Sequence, residues 1–120
     1  AVGDVVWVDD EKLINPVTAL SGSGPAYVFL LIETMAKAGI KTGLPADIAE
    51  KLARATVYGS GLLAKKEQAT PAQVLRKNVT SPNGTTAAAL GVLMRDKSGM
   101  QDIFDEALKA ATDRAKELEG

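Results

Sequence analysis

Apolar residues recur at helical spacing along most of the chain. Over residues 45–66, a set that includes Ile48, Leu52 and Leu62 follows the i, i+4, i+7 spacing of one helix face. Residues 98–118 repeat this pattern with an opposite charged face, and shorter apolar patterns occupy residues 71–78 and 87–94. These patterns predict an all-α domain of about five to six helices.

One predicted helix is apolar on nearly every side. It begins at Pro25, continues through Tyr27 and Phe29, and reaches Ala36. A helix that is apolar all round is buried. Because a chain of 120 residues cannot cover this helix and its neighbour alone, the pattern predicts an interlocked homodimer in which helices of one subunit pack between those of the other.

Turn and capping residues predict where the helices begin and end. Asn15 has the character of an N-cap with Pro16 at the first helical position, and the glycine-rich residues 21–24 should interrupt that helix. Thr70 and Ser98 are each followed three residues later by Gln, which is the spacing of a capping box. We therefore expect helices to begin directly after Thr70 and after Ser98.

The first residues have a different pattern. A β-branched and aromatic run, Val5 to Val8 with Trp7, ends at Asp9 and Asp10 and predicts one short strand. A lone strand must pair with a sheet elsewhere, so we divide the chain into an edge strand over residues 1–9 and a helical domain over residues 10–120. An extended arm without strand pairing is the alternative.

Composition excludes several kinds of chemistry. The chain has 14 Lys and Arg against 15 Asp and Glu, with no Cys and no His. It therefore has no disulfide, no thiolate nucleophile, no Cys/His zinc site and no Ser-His-Asp triad. The balanced charge predicts no nucleic-acid partner, and the apolar stretch over residues 25–32 is too short to span a membrane. We expect a cytoplasmic protein without a metal.

Three segments are candidates for chemistry. Residues 81–86 form a polar turn that leads into a helix, whose free N–H groups attract carboxylates or phosphates; an ordinary interhelical turn is the alternative. Residues 21–25 are glycine-rich but lack nucleotide-motif spacing, so close helix crossing and a kink explain them better than a phosphate site does. The acidic run at Asp9, Asp10 and Glu11 has no partner ligands nearby and fits solvated charge better than a metal cluster.

Three motifs together resemble one family. Residues 19–27 (ALSGSGPAY), 38–45 (AGIKTGLP) and 78–86 (NVTSPNGTT) occur in the order found in the carboxy-terminal half of pyrroline-5-carboxylate reductase. The resemblance extends from the strand at Val5 to Leu118 and thus covers essentially the whole chain. It implies the last step of proline synthesis, the reduction of 1-pyrroline-5-carboxylate to L-proline.

The resemblance also implies a domain arrangement. In that family a Rossmann domain binds NADPH or NADH, and a following helical domain forms an interlocked dimer that often assembles into larger rings. No dinucleotide fingerprint precedes Val5, so we expect the predicted strand to complete the sheet of a Rossmann domain absent from this chain. We expect the chain alone to bind no cofactor and to be inactive. A purely structural association module is the alternative function.

Residue roles follow from the same resemblance. The loop receives the substrate carboxylate on backbone amides, and the hydroxyl of Thr86 faces the ring nitrogen, which makes Thr86 the candidate catalytic residue. The implied substrate-binding set is Ser81, Asn83, Gly84, Thr85 and Thr86. Ser23, Gly24 and Pro25 are placed near the nicotinamide. Asn83 stands where the commonest family form has glycine; Asn tolerates left-handed dihedrals, so we expect the turn to survive.

Overall fold

The computed structural model describes residues 10–119, which are almost entirely helical. This confirms the predicted all-α class, whereas the strand predicted within residues 1–9 lies outside the described part. The α-helices, in chain order, are α1 (Ile14–Val17), α2 (Gly24–Lys41), α3 (Ala46–Lys66), α4 (Ala72–Asn78), α5 (Thr85–Leu93) and α6 (Met100–Glu119). A 3-10 turn (Glu11–Leu13) precedes α1, and a π-helix (Thr18–Gly22) follows it.

The first helical segment begins earlier than predicted. The carboxylate of Asp10 accepts a hydrogen bond from the Lys12 N–H at 2.9 Å and so caps the 3-10 turn. Asn15 is therefore not an N-cap but lies inside α1, and its side-chain amide donates to a carboxylate oxygen of Glu119 at 2.9 Å. The prediction was wrong because Asp10 supplies an equally good cap five residues upstream.

The predicted break at residues 21–24 is also smaller than expected. Helical geometry continues through Gly22 as the π-helix, and only Ser23 separates it from α2. Pro25 occupies the first turn of α2, where a missing N–H costs nothing. The glycine-rich segment thus changes the helical register instead of ending the helix.

Helices α2 and α3 form a hairpin that contains the small core. The connecting turn includes Gly43 at φ 113°, a left-handed conformation that glycine adopts without strain. Ala36 of α2 packs with Ala49 and Ala53 of α3, and Ile32 covers this cluster. Small side chains at these positions let the two helices lie close together, as the alanine-rich composition predicts.

Very little of the described chain is buried. Among residues 10–119, the only buried hydrophobic side chains are four alanines: Ala19, Ala36, Ala49 and Ala53. The chain exposes 9774 Å², whereas a folded monomer of this mass exposes about 6,200 Å². Large apolar side chains of α2, such as Phe29 and Leu30, are more than half exposed. This surface is what an interlocked dimer would cover.

Helix α6 packs against the beginning of the domain. It contacts α1 and the π-helix, and the ring of Phe104 meets the ring of Tyr27 edge to face, with centroids 6.1 Å apart. Within the described residues, α4 and α5 make no extensive contact with another helix. Helix packing within the described residues therefore involves mainly α1, the π-helix, α2, α3 and α6.

Neither predicted capping box forms. Helix α4 begins after Pro71 without a side-chain cap, so the hydroxyl of Thr70 has no capping role. Before α6, Asp102 rather than Gln101 reaches back, and its carboxylate accepts from the Ser98 N–H at 2.9 Å. A carboxylate in the first turn outcompetes the neutral amide because it also interacts favourably with the helix dipole.

The turn before α6 depends on Gly99. Gly99 is buried, and a Cβ placed there would lie 2.3 Å from the carbonyl oxygen of Arg95 and 3.0 Å from that of Leu93. We therefore expect Gly99→Ala to lower the free energy of unfolding by about 1–3 kcal/mol, as overpacking does. Thermal or urea denaturation measures this loss.

The neighbouring Ser98 supplies a control, because its substitution by glycine should not lower the free energy of unfolding. Its φ is 61°, so Ser98→Gly removes a left-handed strain and should leave stability equal or slightly higher. Equal stability of Gly99→Ala and the unmutated protein would contradict the close approach of Gly99 to the two carbonyl groups.

The ion pairs of the described residues support single helices rather than the tertiary fold. All four join side chains three or four residues apart. On α6, the Lys109 ammonium hydrogen-bonds Asp113, which lowers the pKa of that carboxyl, and the pKa of Lys109 is raised in turn. Both groups lie in water, where such pairs contribute little. The small contribution of this pair to the free energy of unfolding is present above the pKa that Asp113 has in the unfolded chain. It is lost as pH falls through the lowered pKa that Asp113 has in the folded chain.

A membrane-spanning helix needs about 20 predominantly apolar residues. None of the helices within residues 10–119 is both long and apolar enough to meet this requirement.

Candidate functional site

The polar segment between α4 and α5 folds as a tight turn. The Gly84 N–H donates to the Ser81 carbonyl at 3.2 Å and closes the turn. Asn83 has φ 58°, the left-handed value needed at the third residue of a type II turn. The expectation that Asn83 preserves the turn is thereby confirmed.

Helix α5 begins directly after this turn, two residues earlier than the apolar pattern predicts. Gly84 is extended at the N-cap position, and its carbonyl accepts the first helical hydrogen bond from Ala88 at 3.1 Å. Within residues 10–119, the N–H groups of Thr85, Thr86 and Ala87 have no acceptor. Three backbone donors are therefore free at one helix end.

The hydroxyl groups around the turn fall into two kinds. Thr80 donates to the Arg76 carbonyl at 2.7 Å, so its side chain closes the end of α4. Ser81, Thr85 and Thr86 are exposed, and their hydroxyls have no hydrogen bond with any residue the structure describes. These three residues and the free N–H groups lie at the same end of α5.

The electrostatics of this helix start come from the backbone. From residue 78 to residue 94 the sequence contains no charged side chain. The partial positive charge of the helix end is therefore not neutralised by a neighbouring acid, and it attracts an anion without a cationic side chain. A small carboxylate fits such a site, and a hydroxyl beside it can bond a second polar atom of the same ligand.

The residues predicted near a nicotinamide lie at a different place. Ser21, Gly24 and Pro25 line a groove of about 1030 Å³ between α2 and α6, which Tyr27 and Phe104 also line. Ser23 is not among its lining residues. A smaller cavity of about 530 Å³ lies beside Arg76 and Leu93. Neither cavity includes residues 81–86, so one chain alone does not join the two predicted segments.

The acidic entry segment has a local role in the part of the chain that is described. Asp10 is a cap, as shown above, and Asp9 lies outside the described residues. Residues 10–119 contain no group of three or more acidic side chains placed to hold a metal ion.

Sequence reasoning missed Tyr27, which it assigned only to an apolar helix. The hydroxyl of Tyr27 donates to the carbonyl of Ala19 at 2.6 Å. No local sequence pattern indicated this hydrogen bond, because its acceptor lies eight residues earlier in the chain.

The structure thus combines a helical domain with an uncharged helix start whose backbone N–H groups are free. The sequence model of the family described as pyrroline-5-carboxylate reductase dimerisation matches residues 11–118. The chain therefore belongs to the pyrroline-5-carboxylate reductase dimerisation family, as the three motifs predicted.

Individual relatives agree with this assignment. Pyrroline-5-carboxylate reductases from Pseudomonas aeruginosa and Synechocystis are 46% and 50% identical to the chain, each over 98% of it. The match covers only 42% and 43% of those proteins. The chain thus spans less than half the length of these relatives.

Solved structures show the same fold. The reductase from Coxiella burnetii matches 98% of the chain with a TM-score of 0.89 and 44% identity, over 42% of its own length. The Plasmodium falciparum reductase, solved with NADP bound, matches 92% of the chain with a TM-score of 0.82 and 36% identity, over 41% of its length.

Proposed function

We propose that this chain is the dimerising and substrate-binding part of a pyrroline-5-carboxylate reductase that forms L-proline in the cytoplasm. The observation that carries the proposal is the free helix start at Thr85 and Thr86, which suits a small carboxylate. Family membership and the matched relatives support it.

In the proposed reaction the chain positions its substrate. The carboxylate of 1-pyrroline-5-carboxylate lies at the free N–H groups of α5, with Ser81, Asn83 and Gly84 shaping the turn beneath it. The Thr86 hydroxyl hydrogen-bonds the ring nitrogen, which gains a proton as the C=N bond is reduced. Holding both groups fixes the ring carbon for attack, and orientation alone can lower a barrier by several kcal/mol.

NADPH or NADH supplies the hydride when bound, mainly through a Rossmann domain joined to this chain. Here the groove beside Ser23, Gly24 and Pro25 would receive the nicotinamide. The turn leaves space for a ring, because a Cβ built on Gly24 meets no atom within 4 Å.

We include a homodimer in the proposal. The chain exposes about 3,600 Å² more than a monomer of this mass does, so two copies expose about 7,200 Å² of such surface, more than the roughly 2,000–5,000 Å² that obligate dimers usually bury in total. Sedimentation should show a dimer, or a multiple of it if dimers assemble into rings. A well-folded monomer at micromolar concentration would contradict this part.

A titration of the dimeric chain with proline tests the site directly. In NMR spectra, the amides of Gly84, Thr85 and Thr86 should shift, while those of the α2–α3 turn around Gly43 should not. Joined to a Rossmann domain, the same chain should oxidise NADPH in the presence of 1-pyrroline-5-carboxylate. No proline-dependent shift and no turnover would instead favour a purely structural association module.

We also expect the chain alone not to bind NADPH tightly, because dinucleotide recognition needs a βαβ unit. Calorimetry should give a dissociation constant weaker than micromolar for the chain and a tighter one for the joined protein. Micromolar or better affinity of the chain alone would show that the cofactor site is misplaced.

A further inference from the structure

The π-helix before α2 leaves one buried carbonyl in need of a donor. In an α-helix the Ser23 N–H would donate to Ala19, four residues back. Here it donates to Thr18, five residues back, at 2.9 Å. Ala19 is only 1% exposed, so water cannot replace the lost donor at its carbonyl.

The hydroxyl of Tyr27 supplies a donor to that carbonyl. It lies 2.6 Å from the Ala19 oxygen, a short and well-formed hydrogen bond. The ring itself is held from the other side by Phe104 of α6, at an interplanar angle of 75°. Tyr27 is therefore fixed between the π-helix and α6.

Pro25 explains why the register changes at this place. In a continuous α-helix its ring would collide with the carbonyl of Ser21, four residues earlier. The π-turn avoids this collision and puts Pro25 in the first turn of α2. Short π segments inside helices occur frequently at functional sites.

The segment that joins the π-helix to α2 forms one wall of the groove between α2 and α6. Ser21, Gly24 and Pro25 line it together with Tyr27. If the turn returned to α-helical register, it would hold one residue fewer than the π-turn does. Ser21, Gly24 and Pro25 would then shift relative to α6.

The geometry points to Tyr27 as a positioning residue, whose hydroxyl keeps the turn in π register so that Ser21, Gly24 and Pro25 hold the nicotinamide against the substrate. This inference rests on the proposed function, since it needs the groove to be the nicotinamide side of the site. The Tyr27 hydroxyl is bonded to the Ala19 carbonyl, so in this role it acts through the turn.

The test is Tyr27→Phe in the chain joined to its Rossmann domain. Phenylalanine keeps the ring against Phe104 and removes only the hydroxyl. We expect kcat/KM to fall roughly two- to tenfold, the range that one net hydrogen bond corresponds to. With cofactor deuterated at the transferred hydride, the isotope effect on kcat/KM should increase because hydride transfer becomes slower relative to the other steps.

The second tyrosine provides the matched control. Tyr58 of α3 is 61% exposed and has no hydrogen bond among the described residues, so Tyr58→Phe should leave both readouts unchanged. In the Tyr27→Phe protein, the amides of Ser23 and Ala26 should also exchange with solvent faster. That readout reports the turn itself and does not depend on activity.

The outcomes are distinguishable. A normal dimer of Tyr27→Phe with unchanged kcat/KM and isotope effect overturns the positioning role, even if its melting temperature is lower. If the unmutated joined protein does not reduce 1-pyrroline-5-carboxylate, the proposed function fails instead. Faster amide exchange together with a larger isotope effect supports the inference.

Discussion

Replacing Thr86 with alanine in the chain joined to its Rossmann domain should lower kcat/KM by roughly 5- to 150-fold. The range corresponds to about 1–3 kcal/mol, the cost of removing one partner from a desolvated polar group, here the ring nitrogen. Folding should be unaffected. Thr86 is the second residue of α5, its hydroxyl caps nothing, and alanine favours the helix. Steady-state kinetics and sedimentation together measure both expectations.

Thr80 is the matched control for this experiment. It is six residues away, but its hydroxyl is already bonded to the Arg76 carbonyl. Thr80→Ala should therefore lower the free energy of unfolding by about 1 kcal/mol and change kcat/KM little. A Thr86→Ala protein that dimerises normally and keeps its original kcat/KM would disprove the role assigned to Thr86.

The candidate loop could be predicted because its structure is local. Pro82, Asn83 and Gly84 specify a turn by their own backbone preferences, and a helix start necessarily leaves N–H groups free. The structure confirms both features, with Asn83 left-handed and α5 beginning at Thr85. What binds there stays a prediction, since the geometry of one helix end does not select between carboxylates.

Helix boundaries were less predictable where several capping residues compete. Asp10 and Asn15 are both good caps, and only the packing of α1 against α6 decides between them. Pro25 marks the place where the helical register changes, but the sequence pattern did not predict the π-helix. It depends on a hydrogen bond between residues 19 and 27 and on a ring from α6, which no local pattern encodes.

Neither the sequence pattern nor the structure of one chain shows how residues 21–25 and residues 81–86 would meet around one substrate. The groove beside the π-helix and the start of α5 occupy separate places on one protomer. A reaction needs cofactor and substrate in contact, so the proposed function requires elements outside this chain. The exposed apolar faces are the physical sign that such elements exist, because water opposes leaving them uncovered.

The face of α2 offers the largest expected effect on stability. Phe29 is 66% exposed in the single chain, and in the proposed dimer it would be covered by the partner. Phe29→Glu would place an unpaired charge there, which costs several kcal/mol in each copy. Because a two-fold interface repeats each contact, the dissociation constant should rise by more than 100-fold, the equivalent of about 2.7 kcal/mol.

Dissociation should also unfold the chain, since four alanines are the only hydrophobic side chains buried within residues 10–119 of one protomer and cannot offset the loss of conformational entropy. Sedimentation and circular dichroism should therefore report loss of dimer and of helix together. Phe29→Leu, which keeps the site apolar, should stay dimeric. Gln73→Glu adds the same charge in the first turn of α4, where the helix dipole favours it, and should be harmless. If Phe29→Glu stays a normal dimer, α2 does not form the interface, and if it is a folded monomer, folding does not depend on association.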